Sequence, residues 1–141
     1  MAGNTTLTII KPDAFGANKA GKILALLEEK GFVTRAARVM QMTKAQAGEF
    51  YAIHRERPFY GELVQFMTSG PCMPLVLEKA GAVSALRDAI GATDPAEAAA
   101  GTVRKLYAES KGRNAIHASD SDENALREAR FFFAETELLW G

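Results

Sequence analysis

The stretch Thr5-Thr6-Leu7-Thr8-Ile9-Ile10, followed at once by Lys11-Pro12-Asp13-Ala14, decides how the rest of the chain is read. Its β-branched residues suit a pleated, packed surface, and Pro12 ends the run because it offers no N–H to a ladder. The stretch is a strand that delivers a lysine at its end. Working outward, a loop with Gly16 and Gly21 precedes Lys22 to Lys30, where Ile23, Leu24, Leu26 and Leu27 recur at helical spacing. Gly31 stands where a C-terminal cap belongs. Phe32 to Met42 alternates loosely as a second strand, and Thr43 with Gln46 three residues later forms a capping-box signature for a helix reaching about Ala52.

Pro58 suits the first turn of a helix running through Met67, and Ser69-Gly70-Pro71 breaks it before a strand at Met73 to Glu78. Ala82 to Ile90 is helical. Gly91 to Gly101, with Pro95 and its alanines, reads as an excursion with some helical character. Asn114 to Ala118 is the last strand; Ser119-Asp120-Ser121-Asp122 supplies capping oxygens, and Glu123 to Phe132 closes the chain as a helix. This order predicts an α/β (α+β) fold, a ferredoxin-like βαββαβ sandwich whose four-stranded antiparallel sheet carries added helices. With 141 residues, no repeat and no low-complexity tract, residues 1–141 are expected to form one domain.

Composition narrows the class of function. Hydrophobic residues make up 48% and charged residues 24%, the balance of a globular chain. Lys plus Arg and Asp plus Glu are equal at 17 each, so no global positive field gathers nucleic acid or an anionic membrane. Any anion site must be local. The apolar segments are far shorter than the ~18 residues that span a bilayer, and the N-terminus lacks the pattern of a signal peptide, which gives the expectation of a cytoplasmic protein. The single cysteine, Cys72, has no internal disulfide partner and is expected to pack.

Two histidines offer chemistry. His54 sits among Arg55, Glu56 and Arg57 and reads as part of a solvated loop. His117 ends a short strand and precedes a cluster of capping oxygens, which places its ring near a helix N-terminus where phosphate is attracted. No HExxH or CxxC motif accompanies either, so a nucleophile is better supported than a metal ligand. Glu128 shares the closing helix with Ala125, Ala129 and Phe132. On spacing alone it is more ordinarily a helix-surface charge than an orienting partner for the histidine. Lys11, Arg87 and Arg104 are scattered cations, and neither a P-loop nor a GxGxxG turn is present.

Lys11-Pro12-Asp13-Ala14, Arg57-Pro58-Phe59 with Ser69-Gly70-Pro71, Gly91-Ala92-Thr93-Asp94-Pro95, Gly101-Thr102-Val103-Arg104 and Asn114-Ala115-Ile116-His117-Ala118-Ser119-Asp120-Ser121 occur in this order. Together they resemble the nucleoside diphosphate kinases over essentially the whole chain. The resemblance implies phosphoryl transfer from a nucleoside triphosphate to a nucleoside diphosphate through a phosphohistidine on His117. It implies that Lys11, Arg87, Thr93 and Arg104 hold the phosphates, that Asn114 bonds the ribose hydroxyl and that Phe59 stacks on the base. Tyr51 would line the site, Ser119 and Glu128 would orient the imidazole, and Mg²⁺ would ride on the nucleotide phosphates, touching Asp120 through water at most, without a direct protein ligand. A homo-oligomer, tetramer or hexamer, is the implied assembly. Ile53, where an acidic residue is common, Leu106, where aspartate is frequent, and Ala118, where glycine is usual, depart from the pattern. A catalytically silent relative serving as an interaction or nucleic-acid-binding module is the alternative. The presence of both His117 and Lys11 argues against it, and the nucleotide ligands argue against a bare phosphohistidine carrier.

Overall fold

A computed structural model describes residues 3–138. Four strands, β1 (Thr5–Ile10), β2 (Val33–Ala37), β3 (Met73–Glu78) and β4 (Ile116–Ala118), form one sheet in the order β2-β3-β1-β4. Every neighbouring pair is antiparallel, with Leu7 opposite Val76 and Ile9 opposite His117. The connectivity is the ferredoxin-like one. Helices α1 (Pro12–Gly16), α2 (Ala20–Glu29), α3 (Lys44–Phe50), α4 (Tyr60–Met67), α5 (Ala82–Ile90), α6 (Val103–Tyr107) and α7 (Asp122–Phe132) fill the connections.

Both faces of the sheet are covered, which explains why β1 is buried from Thr6 to Ile10 instead of alternating. Ile10, Leu75, Leu77 and Ile116 pack with Ile23 and Leu27 of α2 and Leu86 and Ile90 of α5. Leu7, Ile9 and Val76 pack on the other side with Phe50 and Tyr51, Met67 of α4 and Phe132 of α7. Cys72 is fully buried in this second cluster, as expected for a packing residue. No helix among the described residues is long and apolar enough to cross a membrane.

Local signals hold where they are strong. Thr43 and Gln46 make both bonds of the capping box of α3. Gly31, at φ +95°, ends α2 in a Schellman arrangement: its N–H reaches Glu28 O and that of Phe32 reaches Leu27 O. Three expectations are corrected. Pro12 does not open a loop but occupies the first turn of α1, where its missing N–H costs nothing. Residues 91–101 are turns without helix, and the following segment with Arg104 is helix α6, capped by Thr102. β2 is shorter than Phe32 to Met42: past a bulge between Thr34 and Ala36 its regular pairing with β3 stops at Ala37 and resumes only as a lone bridge from Met40 to Cys72.

Candidate active site

His117 reaches the site because β4 pairs with the middle strand β1, where Ile9 lies opposite it. Thr8, buried in a strand where a hydroxyl needs a partner, donates from Oγ1 to the His117 carbonyl at 2.6 Å. The imidazole enters the layer formed by α3 and α7, with its ring centroid 5.4 Å from that of Phe50 and 6.3 Å from that of Tyr51, both edge to face. Helix α7 is set by Ser121, whose Oγ caps the Asn124 N–H, and by Asp122 and Glu123 in its first turn. That start turns Ala125, Glu128, Ala129 and Phe132 inward.

Glu128 is therefore 8% exposed and not a surface charge. Its Oε1 lies 2.8 Å from His117 Nε2 and accepts the Ser119 Oγ–H at 2.7 Å. An ionised carboxylate only accepts, so the contact requires the proton on Nε2 and leaves the free lone pair on Nδ1. Ser119, itself anchored by its N–H on Leu7 O, fixes the carboxylate in turn. Tyr51 is 5% exposed, and its hydroxyl has no hydrogen-bond partner among the described residues. Burial, with the Glu128 carboxylate second, pushes its proton loss well above the ordinary phenol range, so it stays a donor.

The cation-rich side is built on one strained turn. Ile116 N–H bonds to Asn114 O at 2.9 Å across Ala115, whose φ is +73°. That is a γ-turn of the rare strained kind. It is held by Ala115 N–H on Asp13 Oδ2 at 3.0 Å, Lys11 N–H on Ala115 O at 2.9 Å and Arg104 Nε–H on Asn114 O at 3.3 Å. The turn presents the Asn114 side chain, whose Oδ1 accepts from Lys11 Nζ at 2.9 Å and whose Nδ2 approaches Thr93 O at 3.5 Å. Arg104 also donates to Gly91 O at 3.1 Å and Ile116 O at 2.8 Å. Gly91 is required there: at φ +89°, an added Cβ would lie 2.5 Å from Thr102 Oγ1. Burial, then Arg104, lowers the Lys11 ammonium to about 8, with Asp13 opposing. Burial, then Arg87, lowers Arg104 to about 10. These cations are crowded and desolvated, an arrangement that an anion would stabilise.

Two cavities meet at Arg87. One of about 480 Å³ is lined by His117, Tyr51, His54, Asp120, Arg127 and Glu128 among others. The other, about 420 Å³, is lined by Thr93, Thr102 and Arg104. Arg87, exposed on α5, belongs to both walls. Asp120 is held below the usual carboxylate range, chiefly by the Asn124 amide at 2.6 Å. Thus His117, Tyr51, Ser119 and Glu128 form one cluster, Lys11, Thr93, Arg104 and Asn114 a second, and Arg87 stands between. Phe59 stays outside both cavity linings, 47% exposed at the head of α4, 5.4 Å from the His54 ring. His54 ends a short 3-10 turn, half-buried, where it borders the His117 cavity and lies against Phe59. Asp13 lies within a quoted motif but has no chemical role legible from the sequence; Phe50 and Arg127 carry no sequence signal, because only the packing of α3 against α7 brings them to the ring.

A family model described as "Nucleoside diphosphate kinase" matches residues 4–138. The chain belongs to the nucleoside diphosphate kinase family. A protein of that name from Chlorobium luteolum is 60% identical over 134 residues, covering 95% of this chain and 96% of the relative. One from Gluconacetobacter diazotrophicus is 55% identical over 139 residues, covering 99% of each. The crystal structure of the Aquifex aeolicus nucleoside diphosphate kinase superposes with a TM-score of 0.94 at 45% identity, covering 96% of this chain and 99% of that one. Identity at this level over nearly full length makes the chain an enzyme of the nucleoside diphosphate kinase family. Against that family pattern, Ile53 is 78% exposed at the rim of the His117 cavity, Leu106 is 54% exposed on α6, and Ala118 is buried in β4.

Proposed function

We propose that this enzyme moves the γ-phosphoryl group of a nucleoside triphosphate, ATP above all, to nucleoside diphosphates in two half-reactions through a phosphohistidine on His117. The observation that carries the proposal is the contact of Glu128 Oε1 with His117 Nε2, which leaves the other ring nitrogen, Nδ1, as the nucleophile in a cavity walled by Arg87 and Tyr51. The Nδ1 lone pair attacks the γ-phosphorus in line. The bond from that phosphorus to the bridging oxygen breaks, and the diphosphate leaves with the electron pair. A terminal oxygen of a second diphosphate then attacks the same phosphorus, and the imidazole recovers its lone pair. Nε2–H stays on Glu128 throughout, so the positive charge that the ring gains on phosphorylation rests against a carboxylate.

Phosphoryl transfer needs positioning and charge stabilisation more than covalent help. In this reading Lys11, Arg87, Arg104 and Thr93 hold the phosphates, Asn114 bonds the ribose hydroxyl, and Phe59 gives the base a face to stack on. Arg104 spends three of its five N–H donors on Gly91, Asn114 and Ile116 carbonyls and keeps two for the phosphates. Among the described residues no three of His, Cys, Asp and Glu are grouped to hold a metal ion. Within the His117 cavity, Asp120 is the carboxylate not committed to the imidazole. Asp120 would be the residue facing Mg²⁺ carried in on the nucleotide's phosphates, and the ion would supply neutralisation of phosphate charge. Incubation with γ-labelled ATP should give an acid-labile, alkali-stable phosphoprotein that His117→Ala does not form. An unlabelled native enzyme, or equal labelling of that variant, refutes the mechanism.

A further inference from the structure

Arg127 neighbours Glu128 on α7 but points a different way. Its Nη1 and Nη2 donate to Phe50 O at 3.1 Å and Glu49 O at 2.9 Å, the last two residues of α3. A helix C-terminus leaves its carbonyls short of donors, and the fork of a guanidinium matches two of them at once. The carbonyl one residue earlier, Gly48 O, is taken by the Tyr60 hydroxyl at 3.1 Å. The same guanidinium lies 5.9 Å from the centroid of Phe50, and Phe50 meets the His117 ring edge to face at 5.4 Å. One side chain thus connects the helix that carries the histidine's carboxylate partner to the residue that walls the imidazole.

We propose that Arg127 is a positioning residue for phosphoryl transfer: by tying α7 to the end of α3 it holds Glu128 and Phe50 on the His117 ring and so keeps the ring in its Nε2–H form. The inference rests on His117 being the phosphoryl acceptor. Without the tie α7 is free to shift against α3, and Glu128, seated one residue away, shifts with it. The ring then turns, and its nitrogens exchange roles. Arg127 acts through its neighbours and not on the substrate, although it borders the His117 cavity.

Arg127→Gln keeps most of the stem and removes the guanidinium. Nitrogen NMR of the imidazole, which needs no turnover, should show a single Nε2–H tautomer in the native enzyme and a mixture in the variant. Phosphoenzyme formation should slow roughly ten- to a hundredfold, the range that follows from small misplacements of a reacting group. ADP affinity should stay within about twofold, the scale of an uninvolved surface charge. Arg127→Lys, whose ammonium reaches one of the two carbonyls, should recover most of the rate and of the tautomer, and it carries the test should Arg127→Gln fail to fold. A pure Nε2–H ring with an unchanged rate would reduce Arg127 to a staple between helices and overturn the proposal. An unchanged tautomer with a large loss of ADP affinity would make it a nucleotide ligand and overturn it equally. If the native enzyme takes no label on His117, the phosphohistidine reading fails instead, and the two failures are told apart.

Discussion

Replacing Glu128 by glutamine removes one charge and almost nothing else, so its magnitude can be worked from the contacts. The side chain is about one-tenth exposed, and one oxygen receives both the His117 Nε2–H at 2.8 Å and the Ser119 hydroxyl at 2.7 Å. A glutamine carbonyl turned the same way accepts both, so geometry and tautomer survive. What goes is the charge-assisted part, the difference between roughly 1.5–3 kcal/mol for a bond to a charged group and ~0.5–1.5 for a neutral one. In the proposed mechanism that difference would grow as the ring becomes cationic in the transition state. About 1–2 kcal/mol on the barrier corresponds to a roughly five- to thirtyfold slower phosphorylation. ADP affinity should be unaltered, because Lys11, Thr93, Arg104 and Asn114 lie in the other cluster. Stopped-flow measurement of phosphoenzyme formation with a separate ADP titration checks both halves. A rate within twofold of the native enzyme would refute the role given to the carboxylate.

Three further outcomes follow from the same geometry. Burial lowers the Lys11 ammonium to about 8, so its charge is present below that pH and lost above it; a polyanion favours the charged form, and ADP affinity should fall as pH rises through that value. Between pH 7 and 9 the loss should approach roughly tenfold for one proton, and Lys11→Met should flatten the curve. A native curve as flat as the variant's would remove Lys11 from the phosphate site. Phe59 offers a face and no donors, so kcat/KM for purine and pyrimidine diphosphates should vary within about two orders of magnitude, ~3 kcal/mol; a ten-thousandfold preference would contradict stacking as the mode of recognition. Light scattering should report a tetramer or hexamer, since residues 91–101 are turns that leave Ala96, Ala99 and Ala100 exposed on a single chain; a monomer at micromolar concentration would refute this.

The sequence alone determined the elements whose signals are local. Thr5 to Ile10 and Met73 to Glu78 are strands with the expected bounds, and Ala82 to Ile90 is the expected helix, because β-branching, helical spacing and flanking breakers act within a few residues. The same locality placed His117 in a short last strand, which proves to be Ile116–Ala118 and not Asn114 to Ala118, with the capping oxygens of the closing helix just after it. It was the motif order, however, and no spacing argument, that attached roles to Lys11, Arg87, Thr93, Arg104 and Asn114.

What only tertiary structure decided is whatever depends on two distant segments meeting. Glu128 read by itself as a surface charge, since one turn of helix cannot say which layer will cover it; burial under β1 and β4 makes it the partner of His117 Nε2. The strain at Ala115 is equally invisible in a sequence with alanine there, because an alanine adopts φ +73° only where Asp13, Lys11 and Arg104 together over-determine it. Residues 91–101 look helical by composition but are turns, because the Gly91 and Thr93 carbonyls are claimed by Arg104 and Asn114 and Gly91, at positive φ, lies against Thr102. Local propensity fixes an element when nothing competes for its backbone, and a functional site is where something does.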